Sequence, residues 1–244
     1  MTASIDTVLI TGATQGLGFD MARGFLAAGS RVVLNGRNAA KLTRAADALG
    51  ESDRVATVVG DIGDPATGRR LVDEALARFG RVDVLINNAG IFEPKPFLEV
   101  EETDLLKFWR TNLLGTFFTS QAAARVMKVR GGGAIINIGT VLIDHAAKAF
   151  PVTAPMTSKG AVHGLTVNLA AELADDNIRV NTIAAGIIRT PLHNPEQVDQ
   201  LAGMHLLNRI GEPRDITEAA LFLAQNNFTT GVILPVDGGN VAGR

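Results

Sequence analysis

Three glycines in the run Thr11, Gly12, Ala13, Thr14, Gln15, Gly16, Leu17, Gly18 have the spacing that lets a chain turn sharply and bring its backbone against a pyrophosphate. An apolar, strand-like stretch precedes the run and a helical pattern follows it, so a helix N-terminus faces the negative charge. Gly12 permits the turn, Gly16 the close approach, and Gly18 the packing of helix on strand. At the end of the second apolar run, where an NAD site places a carboxylate for the adenosine ribose hydroxyls, this chain has Asn35, Gly36 and Arg37. Gly36 leaves room, no carboxylate repels an added phosphate, and the Arg37 guanidinium can pair bidentately with a 2′-phosphate. The chemistry expected here is binding of a nicotinamide dinucleotide, NADP(H) favoured and NAD(H) possible. A plain glycine-rich turn and a solvated arginine are the blander alternatives, and the strand-then-helix context weighs against the first.

Such a loop has to be held by a sheet, and the chain supplies one. Short β-branched runs at 7–11, 31–35, 54–59, 83–87, 134–138, 179–183 and 232–236 alternate with helical patterns at 16–28, 39–49, 65–79, 103–129, 155–174 and 213–224, with an extra helix possible at 196–207. Most of the runs are continuously apolar, the sign of strands buried on both faces. The fold class expected is α/β, a Rossmann-type doubly wound, seven-stranded parallel sheet flanked by helices. With 244 residues and 46% hydrophobic content the chain can build one large core, so a single domain over 1–244 is expected, with a short lid at 189–210. Twenty-three basic against 25 acidic residues, without a basic run, argue against nucleic acid as a partner. No apolar stretch is long enough for a membrane span, and a soluble, cytoplasmic protein is expected. The chain has no cysteine, which excludes disulfides and thiolate chemistry, and no tyrosine.

Further landmarks fall in a fixed order: Asp61 and Ile62 after the third run; Asn87, Asn88, Ala89, Gly90 after the fourth; Thr111, Asn112, Leu113 in the long helix; Ile136, Asn137, Ile138 in the fifth run. Thr157, Ser158, Lys159, Gly160, then Ile178 to Asn181, Arg209 to Pro213 and Val236 to Gly239 complete the series. Over nearly its whole length the chain resembles a short-chain dehydrogenase/reductase. The resemblance implies that Asp61 and Ile62 meet the adenine, that Asn88, Ala89 and Gly90 border the cofactor together with Thr14, Gln15 and Leu17, and that Gly186, Ile188 and Thr190 hold the nicotinamide end. It also implies a small-molecule carbonyl or alcohol substrate, a homo-oligomer, dimer or tetramer, and a mechanism in which a tyrosine moves the proton while NAD(P)(H) moves the hydride. In that mechanism a lysine four residues on lowers the tyrosine's pKa, a serine orients the carbonyl and an asparagine anchors a water. The lysine corresponds to Lys159 and the asparagine to Asn112.

Two positions depart from that pattern. Four residues before Lys159 stands Pro155, which has no proton to give, and no other tyrosine exists in the chain to replace it. Thr140 occupies the serine position and keeps a hydroxyl. Ala185 replaces the proline of the usual Pro-Gly pair. A first-turn proline is compatible with the helix that carries Lys159. His145, beside Asp144 in the loop after Thr140, is a candidate replacement acid, as is Lys159 itself if burial depresses its pKa. His163 is expected at a subunit interface, and His193 and His205 in packing or surface positions flanking the lid. Three readings stay open: an NADP(H)-dependent carbonyl reductase or alcohol dehydrogenase with an altered acid; a non-redox enzyme, such as an isomerase or lyase, on the same scaffold; and a weakly catalytic NADP(H)-binding protein.

Overall fold

The computed structural model describes residues 5–148, 150–191 and 198–243. Seven parallel strands, β1 (Thr7–Ile10), β2 (Arg31–Gly36), β3 (Val55–Val59), β4 (Val84–Asn87), β5 (Gly133–Thr140), β6 (Ile178–Ala185) and β7 (Ile233–Val236), lie in the order β3-β2-β1-β4-β5-β6-β7. The order reverses between β1 and β4, and such a switch point opens a crevice at the carboxyl ends of the strands.

Strand alternation builds one core on each face of the sheet. Val8, Ile10, Val32 and Leu34 join α1 (Gly16–Ala27) and α7 (Pro213–Gln225) through Met21, Phe25, Ile216 and Leu223. Leu9, Val33 and Leu85 point the other way, to α3 (Pro65–Phe79) and α5 (Gly115–Arg130), through Leu71, Phe79 and Met127. Polar residues set the helix ends: the Asn38 side chain accepts the Lys41 N–H at 2.9 Å and starts α2 (Ala39–Leu49), and left-handed Gly50 stops it. Asp64 followed by Pro65 starts α3 in the same way, and Gly80 closes it.

The structure departs from the sequence expectations at several elements. The stretch 103–129 is not one regular helix: α4 (Glu102–Phe108) passes through a wide π-type turn over Trp109–Leu114 into α5. Residue periodicity cannot register one inserted residue, and the turn holds Asn112, which makes the three side-chain bonds described below. Both β5 and β6 run beyond their apolar cores, with Gly139 and Thr140 paired to Ala184 and Ala185, residues too small or polar to carry an alternation signal. α6 (Thr153–Glu172) begins two residues before Pro155, which makes the proline its third residue. Of the helix expected at 196–207, Val198 is helical and a short 3-10 turn, Asp199–Met204, follows it; Glu196, Gln197, His193 and Pro195 lie outside the described residues. Among the described residues no helix is long and apolar enough to cross a membrane, and no group of three or more acidic or histidine side chains is placed to hold a metal ion.

Candidate active site

The glycine loop leaves β1 and closes onto the segment after β4. Gly12 has φ 64°, and a Cβ there would fall 2.8 Å from the Ala89 Cα, so both backbone conformation and space demand glycine. Gly18 is equally confined, since its Cβ would meet Asn88 Nδ2 and the Gly12 carbonyl at 2.6 Å. Asn88 ties the two segments together by donating Nδ2 to the carbonyls of Thr11 and Gly12, at 2.9 and 3.0 Å. The Thr11 hydroxyl accepts the N–H groups of Asn88 and Ala89, both at 3.0 Å. Asn88 therefore positions the loop with the side chain that the motif suggested for the cofactor, and Thr11 is a second positioning residue that the sequence left without a role.

The mouth of α1 fits an anionic group. Its N-cap residue, Gln15, is extended and its side chain caps nothing, and the first turn holds no acidic residue, so N–H groups face the crevice without a partner from the helix itself. Across from Gly16 stand Thr190 and Pro191, whose nearest carbons lie 3.6 Å from where a Cβ on Gly16 would be. Gly36 packs directly against the Thr14 methyl, and Arg37 beyond it is exposed, its side chain without an ion-pair or hydrogen-bond partner among the described residues. Asn35 joins the ends of β2 and β3 by donating to Val58 and Gly60 carbonyls at 3.1 Å. Asp61 accepts the Gly63 N–H at 2.9 Å and shapes the turn after β3, where Ile62 is buried beneath Gly115. At the far wall Gly186 packs against Asp237, and buried Ile188 pairs with Gly211. These residues fit a pyrophosphate flanked by two nucleosides.

At the other end of the crevice, Lys159, Asn112 and Gly90 converge. Lys159 Nζ donates to the Ile138 carbonyl at 2.7 Å, and burial of the ammonium pushes its pKa down to about 8. A Cβ on Gly90 would come within 3.1 Å of that Nζ and 3.3 Å of Asn112 Oδ1, so glycine makes the approach possible. Asn112 is fully enclosed and accepts the Ile91 N–H at 2.8 Å while donating to the Ile91 carbonyl at 3.1 Å and to Ser158 Oγ at 3.0 Å. Ser158 in turn donates to the Pro155 carbonyl at 2.8 Å. The asparagine thus clamps the loop after β4 to the first turn of α6. Ser158, which adjoins Lys159 in the sequence, is the link that residue patterns alone gave no function.

Pro155 is buried at a helix position whose N–H has no intrahelical carbonyl to reach, so the ring costs the helix nothing there. Thr140 ends β5 half-buried, and its Oγ1 accepts the Leu142 N–H at 3.3 Å, which leaves its proton available to a substrate oxygen. His145 is half-buried and fixed through its backbone N–H to the Val141 carbonyl at 2.9 Å, with no side-chain partner among the described residues. His163 is part-buried on α6. Its ring turns inward against Gly139, and its pKa is lowered by burial, with Asp144 opposing and Lys159 adding to the shift. His205 is 2% exposed and accepts the Ile187 N–H at 3.3 Å, holding the base of the 189–210 segment.

Residues 12–240 match the family described as Enoyl-(Acyl carrier protein) reductase. The chain is 38% identical over 237 residues to galactitol 2-dehydrogenase (L-tagatose-forming) of Cereibacter sphaeroides, covering 94% of this chain and 92% of that one. It is 37% identical over 241 residues to 3alpha-hydroxysteroid dehydrogenase of Mediterraneibacter gnavus, covering 94% of each. Among solved structures, ElxO with NADP bound superposes with a TM-score of 0.90 at 32% identity, over 97% of this chain and 99% of that one.

Proposed function

The chain belongs to the short-chain dehydrogenase/reductase family, and from that premise we propose that it is an NADP(H)-dependent oxidoreductase interconverting secondary alcohols and ketones, with Lys159 handling the proton that a tyrosine handles elsewhere in the family. The observation that carries this reading is the convergence of Lys159, Asn112 and Gly90 at the end of a glycine cradle, with Pro155 where a phenol would stand.

The residues divide the work as follows. Gly12, Gly16 and Gly18, with the N–H groups at the mouth of α1, hold the pyrophosphate; Thr14, Gln15 and Leu17 belong to the same loop. Arg37 pairs with the 2′-phosphate, Asp61 and Ile62 border the adenine, and Ala89, Gly90, Gly186, Ile188 and Thr190 line the nicotinamide end. Bound there, the dinucleotide supplies or accepts a hydride at the nicotinamide ring. Thr140 donates its hydroxyl proton to the substrate oxygen and orients it. Lys159, whose Nζ titrates near pH 8, is neutral often enough at mild alkaline pH to accept the alcohol proton and charged often enough at neutral pH to return it. Asn112 and Asn88 position the segments that carry these groups. His145, in the loop after Thr140, borders the substrate.

The substrate class follows from the relatives together with the site. One relative is named for a sugar alcohol and another for a hydroxysteroid, and in both names the reacting group is a hydroxyl-bearing carbon. The same oxidation or reduction is assigned here. Exposed Leu106, Trp109, Leu114, Phe117 and Val167 along α4 to α6 leave an apolar surface that fits a homo-oligomer, a dimer or a tetramer. Arg37 provides the test of cofactor choice. Arg37→Ala is expected to weaken NADPH binding by about 10-fold to 100-fold, the worth of a charged hydrogen-bonded contact, and to leave NADH binding within about twofold. Calorimetric titration with each cofactor measures it. Equal weakening for both would place Arg37 outside a 2′-phosphate site, and no binding of either cofactor by the parent protein would refute the reading.

A further inference from the structure

The segment that follows β6 is laced to its neighbours through its backbone. Gly186 donates its N–H to the Val236 carbonyl at 3.0 Å, the Ile187 carbonyl accepts the Gly211 N–H at 3.0 Å, and the Gly211 carbonyl accepts the Arg189 N–H at 2.8 Å. The Ile187 N–H goes to a side chain instead, His205 Nε2 at 3.3 Å. That ring is buried in a slot made by two glycines. A Cβ on Gly186, just after β6, would fall 3.1 Å from Nε2, and one on Gly238, after β7, would fall 3.1 Å from the His205 Cβ. Because Nε2 accepts, the ring proton is on Nδ1, a buried atom with no hydrogen-bond partner among the described residues. The residues on either side of the histidine are held by the segment after β7. Asn240, in the short helix α8 (Asn240–Gly243), donates Nδ2 to the Met204 carbonyl at 2.7 Å, and the Leu207 N–H reaches the Gly238 carbonyl at 3.0 Å. Leu206 fills the space that side chains at positions 239 and 243 would need.

Resting on the oxidoreductase reading above, we propose that His205 positions the nicotinamide end of the cofactor site: its imidazole fixes the Ile187 N–H, so that Gly186 and Ile188 meet the nicotinamide half already in place. The segment 237–243 acts through the ring, because it holds Met204 and Leu207 on both sides of the histidine. His205 is a positioning residue and takes no part in the proton or hydride transfer. An Ile187 N–H deprived of the imidazole must find another acceptor, and turning the segment towards water supplies one. The free protein then populates the turned segment, and binding of the nicotinamide half has to restore the ordered one, which subtracts from affinity. The adenosine half, assigned to Arg37 and the glycine loop, does not meet this cost. Side-chain geometry also fixes which replacement serves. Glutamine carries its carbonyl oxygen at the place of Nε2 and can accept the Ile187 N–H, whereas asparagine reaches only as far as Nδ1.

Two ligands separate the halves of the site without any turnover: NADPH, and adenosine 2′,5′-bisphosphate, which carries the 2′-phosphate and lacks the nicotinamide half. In calorimetric titration, His205→Asn is expected to weaken NADPH binding about 10-fold, as a buried N–H without its acceptor does, and to leave the bisphosphate within about twofold. His205→Gln is expected to bring NADPH binding back to within about threefold of the parent. Asn240→Ala, which frees the Met204 carbonyl and keeps the ring, should weaken NADPH about threefold, again without effect on the bisphosphate. NADPH affinity in His205→Asn equal to the parent's, equal weakening of both ligands, or a His205→Gln protein no better than His205→Asn overturns the positioning role while the oxidoreductase reading stands. Should His205→Asn not fold, the comparison of the two ligands in Asn240→Ala decides in the same way. A parent protein that binds neither ligand overturns the oxidoreductase reading, and the positioning role with it.

Discussion

Lys159→Met is expected to remove hydride transfer and, at the same time, to make the cofactor-free protein more stable at pH 7. The two effects have one cause. Burial holds the Lys159 pKa at about 8, well below its ordinary 10.5, so the folded state binds this proton less tightly than the unfolded state does. Below pH 8 both states are protonated and the folded state bears the full burial penalty, about 3 kcal/mol as an upper figure for a shift of this size. Between pH 8 and 10.5 the folded ammonium loses its proton first, and the penalty disappears; stability rises with pH through that window. Methionine has similar length and no charge, so it escapes the penalty and forgoes the bond to the Ile138 carbonyl, which is worth about 1 kcal/mol. A net gain of about 1–2 kcal/mol at pH 7 that turns into a loss of about 1 kcal/mol towards pH 10.5, where only the missing Ile138 bond counts, is the expected outcome, read by denaturant unfolding of parent and variant at both pH values. A variant less stable than the parent at pH 7 would mean that the Ile138 bond outweighs the cost of the buried charge. Turnover should fall by at least about 10²-fold, the low end of what a positioned acid or base contributes.

Pro155→Tyr is the second large effect, and it acts in the opposite direction. The proline is the third residue of α6 and its N–H would have no helical partner, so a tyrosine at that position costs the helix no hydrogen bond and adds one turn before Lys159 the acid that the family resemblance implies. Ketone reduction should rise by about 10²-fold to 10⁴-fold. Because the natural chain contains no tyrosine, the variant has a single one, and its phenolate absorbance reports that residue alone. The nearby Lys159 ammonium should lower the phenol's pKa below its ordinary value of about 10. A phenol that titrates at its ordinary pH, with an unchanged reduction rate, would show that the missing tyrosine is not what limits this site.

Much of this architecture was legible in the residues. Glycine spacing between an apolar run and a helical pattern located the glycine loop between β1 and α1, and the alternation of short apolar runs with helical patterns marked all seven strands in their order along the chain. The ends of elements were harder, because Gly139, Thr140, Ala184 and Ala185 pair as strand residues without any apolar pattern to reveal it. The turn at Trp109–Leu114 was invisible for a related reason: an inserted residue in a helix changes no residue type, yet it delivers Asn112 to Ile91 and Ser158. Partners distant in sequence were beyond reach as well. The Asn88 side chain bonds the glycine loop, and the His163 ring turns inward where Gly139, 24 positions earlier, leaves it room. Absences were the clearest signals of all. A chain with no tyrosine, and a proline four residues before Lys159, leaves that lysine without the phenol that the family resemblance implies beside it.

The central claim is direct hydride transfer between NADP(H) and a hydroxyl-bearing carbon, and isotope transfer tests it most directly. The parent protein would be incubated with NADPH deuterated at nicotinamide C4 and a panel of ketoses and ketosteroids, and the products examined by mass spectrometry. One deuterium on the new carbinol carbon, lost in Lys159→Met and increased in rate in Pro155→Tyr, is the result predicted. Tight NADPH binding with deuterium-free products, or with substrate turned over at constant cofactor, would contradict it and favour a non-redox role for the same site.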